Sequence, residues 1–178
     1  MKGNTSPTIY WTMLDHENWR IYLAATAKGL CYVGTPNKPW EELRDWTEKR
    51  FPASSLVQGD EKVQPYAIEL VEYLQGTRKR FSIPFDLYGT PFQLAVWNVL
   101  CQIPYGQTST YSAIAQQIEK PAAVRAVGAA IGANPVLITV PCHRVIGKNG
   151  SLTGYRGGFD VKTKLLQLEN AEGSAANA

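Results

Sequence analysis

Residues 109–145 read STYSAIAQQIEKPAAVRAVGAAIGANPVLITVPCHRV, and this stretch decides the fold of the C-terminal half. Its first part predicts two short helices, about Ser109–Ile118 and Ala122–Ala133, broken at Lys120-Pro121 because proline lacks the amide proton that a helix interior needs. Two short helices joined by a tight turn form a helix-turn-helix, although such pairs also occur in ordinary helical packing. The second helix is nearly bare: Ala122, Ala123, Ala126, Gly128, Ala129, Ala130, Gly132 and Ala133 leave Arg125 projecting alone. An internal glycine costs about 1 kcal/mol of helix stability relative to alanine, so Gly128 and Gly132 need a reason. Close packing against a neighbouring element is the commoner one, and approach of the backbone to a ligand surface is the other. Asn134-Pro135 ends the helix, and the continuous apolar run Val136–Val140 reads as a buried strand or extended core segment.

That run delivers Pro141-Cys142-His143-Arg144. A thiol beside an imidazole and a guanidinium has the components of an activated nucleophile, since a free cysteine of pKa ~8.5 is only a few per cent thiolate at neutral pH. Adjacent side chains of an extended chain point apart, so the pair needs a bridging water or a turn at Pro141 to communicate. A buried thiol beside a satisfied imidazole is the structural alternative. Downstream, Gly147-Lys148-Asn149-Gly150 and Gly154-Tyr155-Arg156-Gly157-Gly158 predict a loop whose backbone can approach a ligand. A helix over Lys162–Glu169 follows, with Val161, Leu165 and Leu168 inward and Glu169 at its end.

Upstream the texture differs. Thr8–Met13, Trp19–Ala25 and Leu30–Gly34 are β-branched and aromatic runs separated by turn-like segments, which predicts an antiparallel meander. A helix is expected over Pro39–Phe51. A second, over Asp60–Leu74, carries Val63, Tyr66, Ala67, Leu70, Val71 and Leu74 on one apolar face. The Arg78-Lys79-Arg80 cluster after it suits either a nucleic-acid patch or the negative end of the helix dipole. Residues 77–90 lack periodicity and form the expected domain boundary. Thr90 then caps a helix with Pro91 in its first position and Phe92, Ala95, Val96, Val99 and Leu100 as its buried stripe.

Composition narrows the class. With 178 residues, 44% hydrophobic and 19% charged, the chain has enough apolar content for a core and is not a disordered one. No apolar run reaches the ~18 residues of a membrane span, and no leader segment is evident, so a cytoplasmic protein with no membrane contact is expected. Cys31, Cys101 and Cys142 are odd in number, and neither CxxC nor HxxxH occurs, which argues against a disulfide framework and against a structural zinc site. Residues 1–87 hold 11 basic and 11 acidic residues, whereas residues 88–178 hold 7 basic and 4 acidic, so the whole excess of +3 lies in the second half. A basic surface suits a polyanion, but seven charges are modest, and a solvated surface is the plainer reading.

The order of the signals is more specific than any of them. GTPFQ, VW, IPYGQT, Tyr111, Ile114-Ala115, AVRAVGAAIGANP, VPCHRVIG, LTGYRGG and the K..LL..E pattern ending at Glu169, over about residues 86–170, closely resemble the O6-alkylguanine-DNA alkyltransferase (methylated-DNA–protein-cysteine methyltransferase) family. The resemblance implies that Cys142 takes the alkyl group from O6 of guanine in DNA and keeps it, in one turnover. His143 matches the base that acts through a water, Glu169 the acid that orients it, and Asn134 the hinge residue between the recognition helix and the active-site segment. Arg125 matches the finger that fills the gap left by a rotated base, and Ala126, Gly128 and Ala129 the small-residue face that enters the minor groove. That assignment reverses the packing explanation of the glycines. Tyr111 matches the residue that helps rotate the nucleotide and donates to guanine N3. The carbonyls of Cys142 and Val145 match acceptors for the exocyclic amine, and the Arg156 backbone N–H matches the donor to O6. Tyr155 completes the base pocket.

Two features depart from the family pattern. Relatives often carry a small residue where Arg156 stands, so its length bears on which alkyl groups fit, with a phosphate contact as another use. Some relatives hold zinc in the N-terminal domain, where this chain offers only Cys31 and His16, so neither metal nor cofactor is expected. A lesion-binding protein that transfers nothing is the alternative, which Cys142 disfavours. A cysteine hydrolase is a third reading and would need an oxyanion hole. The expected fold is α/β (α+β). An N-terminal antiparallel sheet with helices (residues 1–87, ribonuclease H-like by resemblance) precedes a mainly helical DNA-binding and transfer domain (88–170) and a disordered tail (171–178). The expected partner is double-stranded DNA containing O6-alkylguanine, bound by a monomer.

Overall fold

The computed structural model describes residues 6–152 and 154–176. Strands β1 (Thr8–His16), β2 (Trp19–Thr26) and β3 (Gly29–Val33) form the antiparallel meander, with Tyr10 opposite Ala25 and His16 opposite Trp19. Helix α1 (Glu41–Arg50) leads to a strand that the residue pattern does not announce: β4 (Ser55–Gln58) pairs parallel to β1, giving the order β3-β2-β1-β4. Only four residues long and largely exposed, β4 lacks the alternation that marks a strand and is held by its neighbour's free edge.

The two-residue period of the strands sorts side chains between two cores, except where an irregularity in the β2–β3 pairing at Ala24/Ala25 leaves the adjacent Cys31 and Tyr32 on one side. Ile9, Ala24, Cys31 and Tyr32 face α1, where Leu43, Trp40, Trp46 and Phe51 cover them. Leu14, Ile21, Leu23, Ala25 and Val33 face the other way, toward α2 (Asp60–Leu74) and the whole C-terminal half. Within α2 the buried positions are Val63, Glu69, Leu70 and Tyr73, so Tyr73, off the expected stripe, belongs to the innermost row. The Arg78-Lys79-Arg80 cluster is partly structural: Arg78 pairs with Glu72 at 2.6 Å and Glu69 at 3.0 Å.

Residues 77–90 do more than link. Leu30 donates to the Pro84 carbonyl at 3.0 Å and accepts from Asp86 N at 2.9 Å, so the segment pairs with β3. Helix α3 (Pro91–Leu100) starts with a capping box between Thr90 and Gln93. Its buried face is Val96, Trp97 and Leu100; Ala95 is exposed, because Trp97 takes the inward position and donates from Nε1 to the Ala130 carbonyl at 2.8 Å.

A short strand β5 (Ser109–Thr110) opens the helical pair α4 (Tyr111–Gln117) and α5 (Val124–Gly132) and pairs parallel with β6 (Val145–Ile146). The run Val136–Val140 is wholly buried, as expected, but it is not a strand. After one bridge from Val136 to Val33 it turns, with Ile138 at φ 68°, an unusual conformation for a β-branched residue. The cause is the Asn134 carboxamide, which donates to the carbonyls of both Val136 (3.3 Å) and Val140 (3.1 Å) and so draws the two ends of the run together.

Helix α6 (Phe159–Ala176) is longer than expected at both ends. Its C-terminal turns run on through 171–176, where each residue added to an existing helix gains a hydrogen bond without new nucleation. Residues 177 and 178 lie outside the described set. The innermost row of α6 is Lys162, Leu165 and Glu169 rather than Val161, Leu165 and Leu168.

Candidate active site

Cys142, His143 and Arg144 form a single 3-10 turn after Pro141, all three buried. The turn takes the place of the extended geometry that would have pointed Cys142 and His143 apart. Asn134 Nδ2 donates to Cys142 Sγ at 3.3 Å while its Oδ1 accepts from Val136 N at 2.9 Å, so one carboxamide ties the end of α5 to the thiol. Burial pushes the Cys142 thiol above its ordinary pKa; the Asn134 hydrogen bond and the charges of Arg156 and Lys162 pull the other way.

His143 Nε2 lies 2.6 Å from Glu169 Oε2, and its Nδ1 is buried without a hydrogen-bond partner. Facing a carboxylate, Nε2 carries the proton of the neutral ring, which leaves the lone pair on Nδ1. Burial holds the imidazole below its usual pKa, against the upward pull of Glu169, and the Arg144 and Lys162 charges lower it further. Glu169 collects an unusual number of donors. Arg144 gives Nε to Oε1 at 2.8 Å and Nη2 to Oε2 at 3.1 Å, Gly106 N reaches Oε1 at 3.2 Å, and the Tyr73 hydroxyl donates to Oε2. Burial disfavours its charge, yet the bonds from His143 and Arg144 outweigh this and bring its pKa down to about 2.

The structure therefore pairs Cys142 with Asn134 and His143 with Glu169, and the 3-10 turn holds the two pairs side by side. Arg144, already noted beside the thiol, turns to Glu169, and the residues added by tertiary structure are Tyr73, Gly106 and Lys162, whose buried Nζ donates to the Val145 carbonyl at 2.6 Å. Lys162 and Glu169 sit seven positions apart on one helical face, a spacing legible in the chain; Tyr73, 96 residues from Glu169, left no such signal.

Tyr111 opens α4, and a Cβ added at Gly154 would lie 3.5 Å from its hydroxyl, which places it at the 154–158 loop. In that loop a Cβ at Gly157 would come within 2.4 Å of the Tyr155 ring, so only glycine lets the ring lie there. The Tyr155 hydroxyl is buried without a partner. The Arg156 side chain turns to the N-terminal half: its guanidinium donates to the Val33 carbonyl at 3.1 Å, pairs with Glu42 at 3.8 Å and lies over the Tyr32 ring. The β3 carbonyl, which also accepts from Leu137 N at 3.3 Å, and the Glu42 charge hold it against the N-terminal half.

On α5, Val127, Ala130 and Ile131 are buried while Arg125, Ala126, Ala129 and Gly132 are exposed. A Cβ at Gly132 would meet nothing within 4 Å, and one at Gly128 only the Tyr111 ring at 3.9 Å. Close internal packing does not demand these glycines. A cavity of about 310 Å³ is lined by Pro141 and Arg144 together with Lys79, Phe81 and Tyr105, but by neither Cys142 nor Tyr155, and is not the base pocket. Among the described residues no cluster of three or more His, Cys, Asp or Glu is placed to hold a metal, and no helix is long and apolar enough to cross a membrane.

A turn-borne thiol, a carboxylate-tethered imidazole and a bare, exposed helix in one half of a two-part α/β chain define a class that comparison specifies. Residues 9–87 match the family described as 6-O-methylguanine DNA methyltransferase, ribonuclease-like domain, and residues 91–171 its DNA binding domain. The inducible methylated-DNA–protein-cysteine methyltransferase of Bacillus subtilis is 66% identical over 94% of each chain. Among solved structures, the O6-methylguanine methyltransferase of Mycobacterium tuberculosis superposes with TM-score 0.78 at 37% identity, covering 92% of this chain and 94% of that one. The same organism's protein in complex with DNA gives 0.77 at 36% identity over 93% and 94%. The chain belongs to the methylated-DNA–protein-cysteine methyltransferase family.

Proposed function

We infer that this protein repairs DNA directly by moving an alkyl group from O6 of guanine to Cys142. The observation that carries the reading is the pairing of a thiol held by Asn134 with an imidazole whose Nε2 is fixed to Glu169 and whose Nδ1 lone pair is left for use. The thiol proton passes through one water to Nδ1, as in the hydrolase triads, where a third group orients the base. The thiolate then attacks the alkyl carbon in line; the S–C bond forms, the C–O6 bond breaks, and guanine leaves with its electron pair and takes up a proton. A thioether has no ready path back to the thiol, so each chain reacts once.

The target carbon lies inside the stack, so the nucleotide has to be rotated out at a cost of a few kcal/mol. Arg125 fills the gap, a role suited to a planar and permanently charged group, while Ala126, Gly128 and Ala129 let α5 enter the minor groove. Tyr111, Tyr155, Val145 and the Arg156 backbone N–H line the base pocket, with residues 88–170 carrying both DNA contact and chemistry. The nucleophile must stay reduced, which favours a cytoplasmic location; one flipped base engages one Cys142, so the protein acts as a monomer.

The test is an intact mass after incubation with a duplex oligonucleotide containing O6-methylguanine. One added methylene per chain is expected, absent in Cys142→Ser. Tight binding without a mass change would identify a lesion-binding protein instead.

A further inference from the structure

We propose that Tyr73, on α2 of the N-terminal half, is a positioning residue of the transfer relay, acting on His143 through the Glu169 carboxylate. The proposal rests on the alkyl-transfer reading and adds to it a residue from the half of the chain that carries no nucleophile. Tyr73 is fully buried, its hydroxyl donates to the same Oε2 that binds His143, and its oxygen lies 3.4 Å from His143 Nε2. Burial and the Glu169 charge keep the phenol protonated, so it acts as a donor.

Sharing one carboxylate oxygen has a defined consequence. A carboxylate offers about four lone-pair sites, and here five donor groups (His143 Nε2, Tyr73 OH, Gly106 N and two Arg144 nitrogens) compete for them. Each donor withdraws charge from the bond to His143. Tyr73 therefore does two things: it locks the rotamer of Glu169 and keeps the imidazole less basic than the bare pair would be. Among the described residues, the other charged or titratable groups acting on this pair are Arg144 from the 3-10 turn and Lys162 from α6, with Tyr105 packed against Tyr73 at 6.1 Å between ring centroids and Lys79 over the Tyr105 ring at 5.6 Å. Tyr73 is the N-terminal residue that hydrogen-bonds the carboxylate directly.

Tyr73→Phe removes the hydroxyl and keeps the ring against Phe81 and Tyr105. Single-turnover transfer from an O6-methylguanine duplex is expected to slow about ten-fold, the order of one charge-assisted hydrogen bond acting through a second group, with DNA affinity unchanged. The acid limb of the pH–rate profile moves to higher pH, because the less-solvated carboxylate raises the basicity of His143. The chain has two histidines, so the ring-proton NMR titration of His143 in DNA-free protein reads the same upward shift directly, with His16 as internal reference. Phe81→Leu, which disturbs the ring packing and spares the hydroxyl, leaves limb and titration in place. A Tyr73→Phe protein with an unmoved His143 titration, or a Phe81→Leu protein that shifts equally, overturns the proposal. Absence of transfer by the wild type would instead refute the alkyl-transfer reading, and the NMR titration judges Tyr73 in either event.

Discussion

At neutral pH Glu169 is a carboxylate taken out of water, a state that is strongly unfavourable unless its oxygens are filled by donors. Arg144, His143, Tyr73 and Gly106 fill them, and the depression of its pKa to about 2 records the result. A folded-state value below the unfolded one means stability that is present above about pH 4.3, where the unfolded carboxyl ionises, and lost as pH falls toward 2. His143, lowered by burial, adds loss of the same sign as pH drops below about 6.5, since only the unfolded ring accepts a proton freely there. Glu169→Gln is therefore expected to lower stability by about 3 kcal/mol at pH 7 and to flatten the acid loss. Urea unfolding at pH 7 and pH 3 checks this. The same variant slows transfer while leaving duplex binding in a gel shift intact, because Glu169 faces the relay and not the DNA. Cys142 and His143 are readable from their contiguous motif, and Glu169 from its spacing within a resemblance. Tyr73 is not readable, because a tyrosine in an amphipathic helix carries no mark of what its hydroxyl meets.

Among the elements, α5 carries small residues that internal packing does not require. Its buried residues are Val127, Ala130 and Ile131, and its exposed ones are Val124, Arg125, Ala126, Ala129 and Gly132. Arg125→Ala is expected to impair transfer from duplex more than transfer from the free O6-methylguanine base, since only the duplex has a gap to fill; equal loss on both substrates would remove the finger role. Ala129→Leu on the same face keeps the fold, its side chain being exposed, but weakens duplex binding about ten-fold, or 1.4 kcal/mol, in a titration. Strong local signals made α2, α3 and the meander legible: caps, apolar periods and β-branched runs. The small strand β4 and the turn at Ile138 were not, because each depends on a partner distant in sequence, the edge of β1 in one case and the Asn134 carboxamide in the other.

At the scale of the molecule, the two halves share one core. Val96, Trp97, Leu100, Val136 and Val140 pack in the same buried cluster as Leu14, Ile21, Leu23 and Leu70. The free edge of β3 is covered first by residues 84–86 and then by the segment leading to Cys142, through Val33 N to the Pro135 carbonyl at 3.0 Å and Leu137 N to the Val33 carbonyl at 3.3 Å. Arg156 adds a tie from the base-pocket loop to the same strand. A fragment of residues 88–178 is therefore expected to be poorly soluble and to lack a cooperative thermal transition by circular dichroism, despite containing the nucleophile. A folded, transfer-competent fragment would show that the shared core is dispensable.

Local information in the chain was enough to determine the main helices and the strand meander, which half carries positive charge, and which thiol has an imidazole beside it. These depend on neighbours within a few residues. Tertiary structure alone decided that Tyr73 reaches Glu169, that Arg156 turns to the N-terminal sheet, and that the run before Cys142 bends around Asn134. A buried polar group takes whichever partner the fold brings within about 3 Å, and no periodicity along the chain encodes that meeting.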